Sequence, residues 1–130
     1  MSRKTDNFVI DKVRRLVVTH FSGDIDASQV KGYHRALALN SEFDPSFSEF
    51  VDASAATTAA LGAEALREIA TLDPFAHDGK RAIVAPKHVV FGLARMYQSL
   101  SERDGLLICR TREDGWRWVH GQASVPVHGV

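Results

Sequence analysis

The chain has 130 residues, of which 45% are apolar and 25% are charged, the composition of an ordinary globular protein. This length suits one domain and leaves no room for two. Sixteen basic residues balance sixteen acidic ones, so the chain has no net positive charge. It therefore lacks the long-range electrostatic field that generic binding to nucleic acid requires.

The apolar runs are far shorter than the ~20 residues that cross a bilayer. The polar start, MSRKTDN, is unlike a secretory signal. Cys109 is the single cysteine, which excludes an internal disulfide and fits a reducing compartment. We therefore expect a cytoplasmic protein with no membrane span and no nucleic-acid partner.

Two segments of strand character open the chain. FVID at residues 8–11 is a short strand candidate, and VRRLVVTHFSG at residues 13–23 is rich in β-branched residues and alternates in part. So few residues separate the two segments that we predict an antiparallel hairpin turning between Asp11 and Arg14.

A first helix is predicted over residues 26–39. Asp26 and Gln29 have the spacing of a capping box at its start. Three side chains then share one face at helical spacing: Val30, Tyr33 and Leu37. Residues 40–45 are rich in turn formers and are predicted to form a loop.

SEFVD at residues 48–52 predicts a third strand. The following ASAATTAA, residues 53–60, is rich in small residues without a clear period, and we predict a connection with at most one helical turn. Residues 62–72 predict a second helix with Leu66 and Ile69 facing inward. Asp73 ends it, because the residue before a proline avoids the helical region.

KRAIVA at residues 80–85 predicts a fourth strand, and Pro86 suits the first turn of a third helix. That helix is predicted to place five side chains on one face: Val89, Leu93, Met96, Tyr97 and Leu100. Residues 106–111 predict a fifth strand, and residues 112–119 a short helix or turn. We assign residues 1–119 to one domain and residues 120–130 to a flexible tail.

The order of elements is therefore β-β-α-β-α-β-α-β-α. Because strand–helix–strand crossovers are right-handed, the alternating part favours parallel strands. The sequence predicts an α/β domain with a small, mixed, mostly parallel five-stranded sheet, an antiparallel edge hairpin and about four helices.

This order, with the phrases RRLVVTHFSGDID, FDPSFSEFVDAS and RAIVAPKHVVFGLARMY, resembles bacterial STAS-like proteins. These share a fold with SpoIIAA-like anti-sigma-factor antagonists and, more loosely, with lipid-carrying CRAL-TRIO domains. The resemblance covers residues 8–119 and implies a STAS-like fold and a regulatory or interaction role.

The resemblance also implies a phosphorylatable serine in an Asp-Ser-Ser-Gly turn at the start of the helix after the third strand. A helix N-terminus accommodates a phosphate through its free N–H groups. In this chain the corresponding position reads Ala60-Leu61-Gly62-Ala63, so the motif is absent. We do not expect the usual phosphorylation switch.

The first candidate site contains Asp52, Ser54, Thr57 and Thr58, because ligands of open α/β sheets bind at the carboxyl ends of strands. The alternative is a solvated loop in which Ser54 caps backbone N–H groups. His88 is a further candidate at the edge of a pocket next to the fourth strand.

Aromatic residues supply two more candidates. Trp116 belongs to an aromatic and basic cluster. As a functional site, this cluster would cover a pocket or stack on a nucleic-acid base. The structural alternative is that it seals a sheet edge or is buried in a subunit contact. Its other members are Arg112, Arg117, Trp118 and His120. Five phenylalanines would suit an apolar ligand if they lined a cavity: Phe43, Phe47, Phe50, Phe75 and Phe91.

No metal site is expected, because the histidines lack the spacing of metal ligands. His20, His34, His77 and His88 are predicted to be scattered on the surface. Cys109 lies in the apolar run LLIC and is predicted to be a buried structural thiol.

The sequence contains no G-x-S-x-G elbow, no phosphate-binding loop and no paired general acid and base, so we expect neither an enzyme nor a cofactor. The leading hypothesis is a STAS-like module that presents the segment after the third strand to a protein partner, with a homodimer expected by analogy. The alternative is a binding domain for a small apolar molecule or lipid. An apolar cavity between the sheet and the helices would favour that alternative.

Overall fold

The computed structural model describes residues 8–121. Its elements follow in the predicted order: β1 (Phe8–Asp11), β2 (Leu16–Asp26), α1 (Ala27–Ala38), β3 (Ser48–Ala60), α2 (Ala63–Leu72), β4 (Arg81–Val84), α3 (His88–Ser101), β5 (Leu106–Cys109) and α4 (Arg112–Val119). The predicted tail lies outside the described residues from residue 122 onward, and residues 120–121 form a turn after α4.

The five strands lie side by side in chain order, β1-β2-β3-β4-β5. β1 pairs antiparallel with β2, and the other three pairs are parallel. The hairpin turns at residues 12–15, where Arg15 has a φ of 57°. The predicted mixed α/β sheet with an antiparallel edge strand is therefore confirmed, and β4 is an interior strand.

β3 corrects the sequence prediction. It does not end at Asp52 but continues to Ala60, so the connection predicted over residues 53–60 is wrong. This part of β3 pairs with β2 as far as Asp26, across two irregularities in the register. Within β3, only residues 49–52 pair with β4. Strands β2 and β3 therefore extend beyond the sheet as a two-stranded ribbon.

The helices divide between the two faces of the sheet. Val17 and Val51 belong to a core on the side of α1, α2 and α3, whereas Leu16 and Phe50 belong to a core under α4. This division follows from strand alternation, since successive side chains point to opposite faces. In the part of the chain that the structure describes, no helix is long and apolar enough to cross a membrane.

Helix α1 begins as predicted. The Asp26 carboxylate accepts from the Gln29 backbone N–H at 2.9 Å, and the Gln29 side chain accepts from the Asp26 N–H at 3.1 Å. These two bonds complete the capping box and satisfy two of the N–H groups that a helix start leaves free. Helix α2 buries Leu66 and Ile69, also as predicted.

Helix α3 differs from its prediction. Val89 and Met96 are exposed, and the buried face is formed by Val90, Ala94, Tyr97 and Ser101. These four residues are spaced by four, three and four positions, which is also helical spacing. Tyr97 is buried as predicted, and Leu93 and Leu100 are half-buried and pack against the core. The prediction is therefore wrong only for the exposed Val89 and Met96.

Candidate functional site

A cavity of about 110 Å³ lies between the sheet and helices α1, α2 and α3. Most of its lining is apolar, from the strands and from all three helices: Phe21, Ile25, Val30, Val51, Ala53, Ala59, Leu61, Leu66, Ile69, Ile83, Val90, Leu93 and Ala94. Ile83 lies in an interior strand yet is only half-buried, because its side chain faces this space. Tight packing is the norm in protein interiors, so a cavity of this size needs a reason.

The same cavity has a polar side, formed by Tyr33, His34, Glu49, Arg81 and Tyr97. Arg81 is its central residue. Its Nη2 lies 2.8 Å from Glu49 Oε1 and 2.9 Å from Asp73 Oδ2, and its Nε donates to Glu49 Oε1 at 3.0 Å. All three side chains are nearly inaccessible to solvent. Two ion pairs that share one arginine are stable in the protein interior only when further hydrogen bonds satisfy their charged groups.

Two tyrosines and a backbone N–H supply those bonds, and a second arginine lies within ion-pair distance. Tyr33 donates to Glu49 Oε2 at 2.6 Å, and Tyr97 donates to Asp73 Oδ2 at 2.5 Å. Asp73 Oδ1 accepts from the Phe75 N–H at 3.1 Å and lies 3.8 Å from Arg103 Nη1. We call Tyr33, Glu49, Asp73, Arg81, Tyr97 and Arg103 the buried charge network.

The network holds its members in fixed protonation states. Burial opposes the ionisation of Asp73, but the Arg81 guanidinium and the neighbouring groups, Tyr97 and Arg103 among them, together outweigh it and keep the pKa of Asp73 below its ordinary value. Burial and the Asp73 charge raise the pKa of Tyr97 far above its ordinary value. Burial and then the Glu49 charge do the same to the pKa of Tyr33. Near neutral pH Asp73 therefore stays ionised and the two tyrosines stay neutral, so the three groups are unsuited to proton transfer there.

Two nitrogens on the polar side have no hydrogen-bond partner among the described residues: His34 Nδ1 and Arg81 Nη1. Both residues are nearly fully buried. Burial lowers the pKa of His34, although the Asp73 charge opposes this. A buried polar group without a partner costs roughly 1–3 kcal/mol. The two nitrogens are therefore the most unusual feature of the cavity.

The structure corrects the prediction for one histidine and decides between the alternatives left open for the phenylalanines. His34 is buried against the ring of Tyr33, so it is not a surface histidine, whereas His20, His77 and His88 are exposed as predicted. None of the five candidate phenylalanines lines the cavity. Phe43 packs edge-on against both Phe47 and Phe75, and Phe50 faces α4.

The opposite face of the sheet carries an open groove that contains two predicted site residues, Asp52 and Trp116. The Asp52 carboxylate is buried, accepts from Arg112 Nε at 2.8 Å and lies 3.7 Å from His20 Nε2. Burial raises its pKa, but hydrogen bonds from Ser54 and Arg112 outweigh this and lower it. Trp116 packs edge-on against Phe50 and remains 38% exposed.

The other predicted site residues do not join this groove. Ser54, Thr57 and Thr58 lie in the extended part of β3, not in a loop. The Ser54 N–H donates to Asp52, so Ser54 is not the capping acceptor predicted. Both threonine hydroxyls donate to Asp24 Oδ1 across the ribbon and lower the pKa of that carboxyl, Thr58 more than Thr57. His88 is exposed at the start of α3.

Cys109 from β5 and Trp118 from α4 belong to the core between the sheet and α4. Cys109 is buried, as predicted, and burial raises the pKa of its thiol to about 11. Trp118 is half-buried and donates its indole N–H to the Gly105 carbonyl at 2.8 Å. Within residues 8–121, no group of three or more histidine, cysteine, aspartate or glutamate side chains is placed to hold a metal ion.

Sequence reasoning missed the buried charge network. Glu49 and Arg81 each begin an apolar strand segment, EFV and RAIV, where a charged residue is easily taken for a solvent-facing end. Their register is the only signal that could have paired them, because Glu49 lies opposite Arg81 in the parallel β3–β4 ladder. That register depends on β3 and β4 being neighbours in the sheet, which the structure shows.

Comparison with known proteins adds no further constraint. No protein-family model matches the chain, and no curated protein or solved structure matches it. The function is therefore inferred from the geometry of the two faces of the sheet.

Proposed function

We propose that this protein is a non-enzymatic, STAS-like binding module that holds a small, largely apolar molecule in the cavity between its sheet and helices α1, α2 and α3. The observation that carries the proposal is the cavity itself, with apolar walls and a few polar groups on one side. This combination is typical of small-molecule sites. It favours the ligand-binding alternative over the presentation of a loop after β3, since β3 has no such loop at residues 53–60.

The size of the cavity limits the part of a ligand that it encloses. An engineered apolar cavity of about 150 Å³ binds benzene. The cavity here, at about 110 Å³, suits a body of about a five-membered ring. Half-buried lining residues such as Val30, Leu61 and Leu93 mark where a longer ligand would extend outward.

A binding role agrees with the state of the polar groups. The Glu49 and Asp73 carboxylates are already paired with Arg81, and Tyr33 and Tyr97 donate to them. Their charges orient a ligand without exchanging protons with it. We therefore propose recognition and not catalysis.

Native mass spectrometry of gently purified protein tests this proposal. We expect an added mass on the natural chain and on the control Ala38→Leu, which changes an exposed residue of α1. Ala94→Leu inserts the same extra atoms into the cavity and should abolish the added mass. A clean mass of the bare chain in repeated preparations, or retention of the ligand by Ala94→Leu, would contradict the proposal.

A second candidate function is contact with a protein partner through the α4 face. The observation that favours it is the partly exposed indole of Trp116 beside the open groove, because tryptophan is enriched at the centres of interfaces. Sedimentation of the natural chain and of Trp116→Ala separates the possibilities. A larger species that disappears in Trp116→Ala supports the partner surface, and a monomer in both opposes a homodimer.

A further inference from the structure

The polar side of the cavity indicates which class of ligand the cavity would bind. Its charged groups are Glu49 from β3 and Arg81 from β4. Behind them, outside the cavity lining, the buried charge network adds Asp73 from the end of α2 and Arg103 from the turn before β5. Two carboxylates face two guanidinium groups, so the set balances before any ligand binds. The other polar residues on this side, Tyr33, His34 and Tyr97, come from α1 and α3.

We infer that the cavity selects an uncharged molecule that offers an oxygen acceptor, such as a carbonyl or hydroxyl group, to Arg81 Nη1 and His34 Nδ1. This inference rests on the proposed function and specifies its ligand class. The two nitrogens lack partners, lie on residues that line the cavity, and belong to side chains that are more than nine-tenths buried.

The chemistry of Arg81 determines whether the ligand group that meets it must be a hydrogen-bond donor or acceptor. A guanidinium can only donate, so the group that meets Nη1 must accept. Its other nitrogens already serve Glu49 and Asp73, so the guanidinium is held in place for this contact. The imidazole of His34 can donate or accept at Nδ1, depending on its tautomer. A carbonyl therefore fits if His34 donates, and a hydroxyl fits in either case.

The balance of charges in the buried charge network argues against an anionic ligand. A carboxylate ligand would add an uncompensated negative charge to a set that already contains two carboxylates and two guanidinium groups. Burying an unpaired charge is far more costly than burying a neutral acceptor. His34 could compensate only by taking up a proton, which its burial disfavours.

Three probes of similar size separate these possibilities: cyclopentanone, cyclopentane and cyclobutanecarboxylate. Each is titrated at pH 7.5 into isotope-labelled protein, and affinities are read from backbone amide shifts of cavity residues. We expect cyclopentanone to bind more tightly than cyclobutanecarboxylate by at least about tenfold. Tighter binding of the carboxylate would overturn the inference.

The variant His34→Leu tests whether the acceptor meets the assigned end of the cavity. It removes the imidazole nitrogens at similar volume, so the fold is retained and cyclopentane binding should change little. The ratio of cyclopentanone to cyclopentane affinity should fall by about tenfold, the value of one net hydrogen bond. Because the ratio is compared between two proteins, the different hydration of the two probes cancels.

The outcomes distinguish the two proposals. If cyclopentane and cyclopentanone both leave the cavity residues unperturbed, the proposed function itself fails. If both bind and the affinity ratio is the same in His34→Leu, the cavity is a binding site but the assignment of an oxygen acceptor is wrong. The control His88→Gln changes an exposed histidine and should reproduce the natural chain in every titration.

Discussion

The two faces of the sheet treat buried charge differently. On the side of α1, α2 and α3, Arg81 is enclosed together with both of its carboxylate partners, Glu49 and Asp73. On the α4 side the Asp52 side chain is only 5% exposed, but its partner Arg112 is 69% exposed and reaches it from solvent. The first arrangement has little freedom to rearrange, whereas in the second the solvent can replace the arginine.

This difference indicates which face is better suited to selective recognition. Hydrogen-bond donors that are held in place and shielded from water interact strongly with a ligand, and only in one orientation. Recognition in a small cavity depends on such donors. An exposed arginine beside a partly exposed tryptophan suits an adaptable surface instead. The enclosed face is therefore the better candidate for a defined ligand, and the open face for a less specific contact.

The comparison predicts its largest effect for the two arginines. Arg81→Met should destabilise the protein by about 3–5 kcal/mol, because it leaves two carboxylates buried without their partner. Arg112→Met should cost about 1 kcal/mol or less, because water can reach Asp52 in its place. Urea denaturation of both variants measures these values. Equal losses would show that the two faces do not differ as proposed.

The next largest effect concerns the thiol under α4. With a pKa of about 11, Cys109 has roughly 100-fold less thiolate near neutral pH than a thiol of ordinary pKa near 9. Alkylation by iodoacetamide should therefore be slower than that of glutathione by at least this factor. Complete reaction within the time that glutathione needs would mean that α4 opens readily from the sheet.

The sequence was sufficient to predict the fold class because local signals repeated along the chain. Asp26 and Gln29 marked the start of a helix, and short apolar runs such as the one at residues 81–84 marked strands. The end of β3 was not predictable in this way. Residues 53–60 have little apolar alternation, and their strand conformation depends on pairing with β2.

The candidate site was predictable only in part. Asp52 and Trp116, which the sequence offered as separate candidates, lie in one groove, and none of the predicted site residues lines the cavity. The buried charge network depends on partners far apart in the chain, such as Tyr97 and Asp73. Charged residues are buried only when paired, and single-sequence patterns do not show that pairing.

A smaller effect distinguishes hydrogen bonds of the two faces. Tyr97→Phe removes one donor from Asp73, which keeps Arg81 and the Phe75 N–H, and should cost about 1.5 kcal/mol. Arg117→Met removes an exposed ion pair with Glu113 on α4 and should cost less than about 0.5 kcal/mol. Thermal unfolding of both variants at pH 7 provides the test. A larger loss in Arg117→Met would reverse the proposed contrast.

The weakest effect is a dependence of stability on pH that belongs to one face. Burial lowers the pKa of folded His34, so on acidification the unfolded chain takes up a proton near pH 6.5 before the folded chain does. Stability should therefore decline as the pH falls from 7 toward 5, and this decline should be reduced in His34→Leu but retained in His88→Gln. Asp73 acts at lower pH: its lowered pKa gives stability that is present above its unfolded pKa and lost as the pH falls through the folded pKa. An unchanged decline in His34→Leu would mean that the enclosed face does not keep this imidazole neutral.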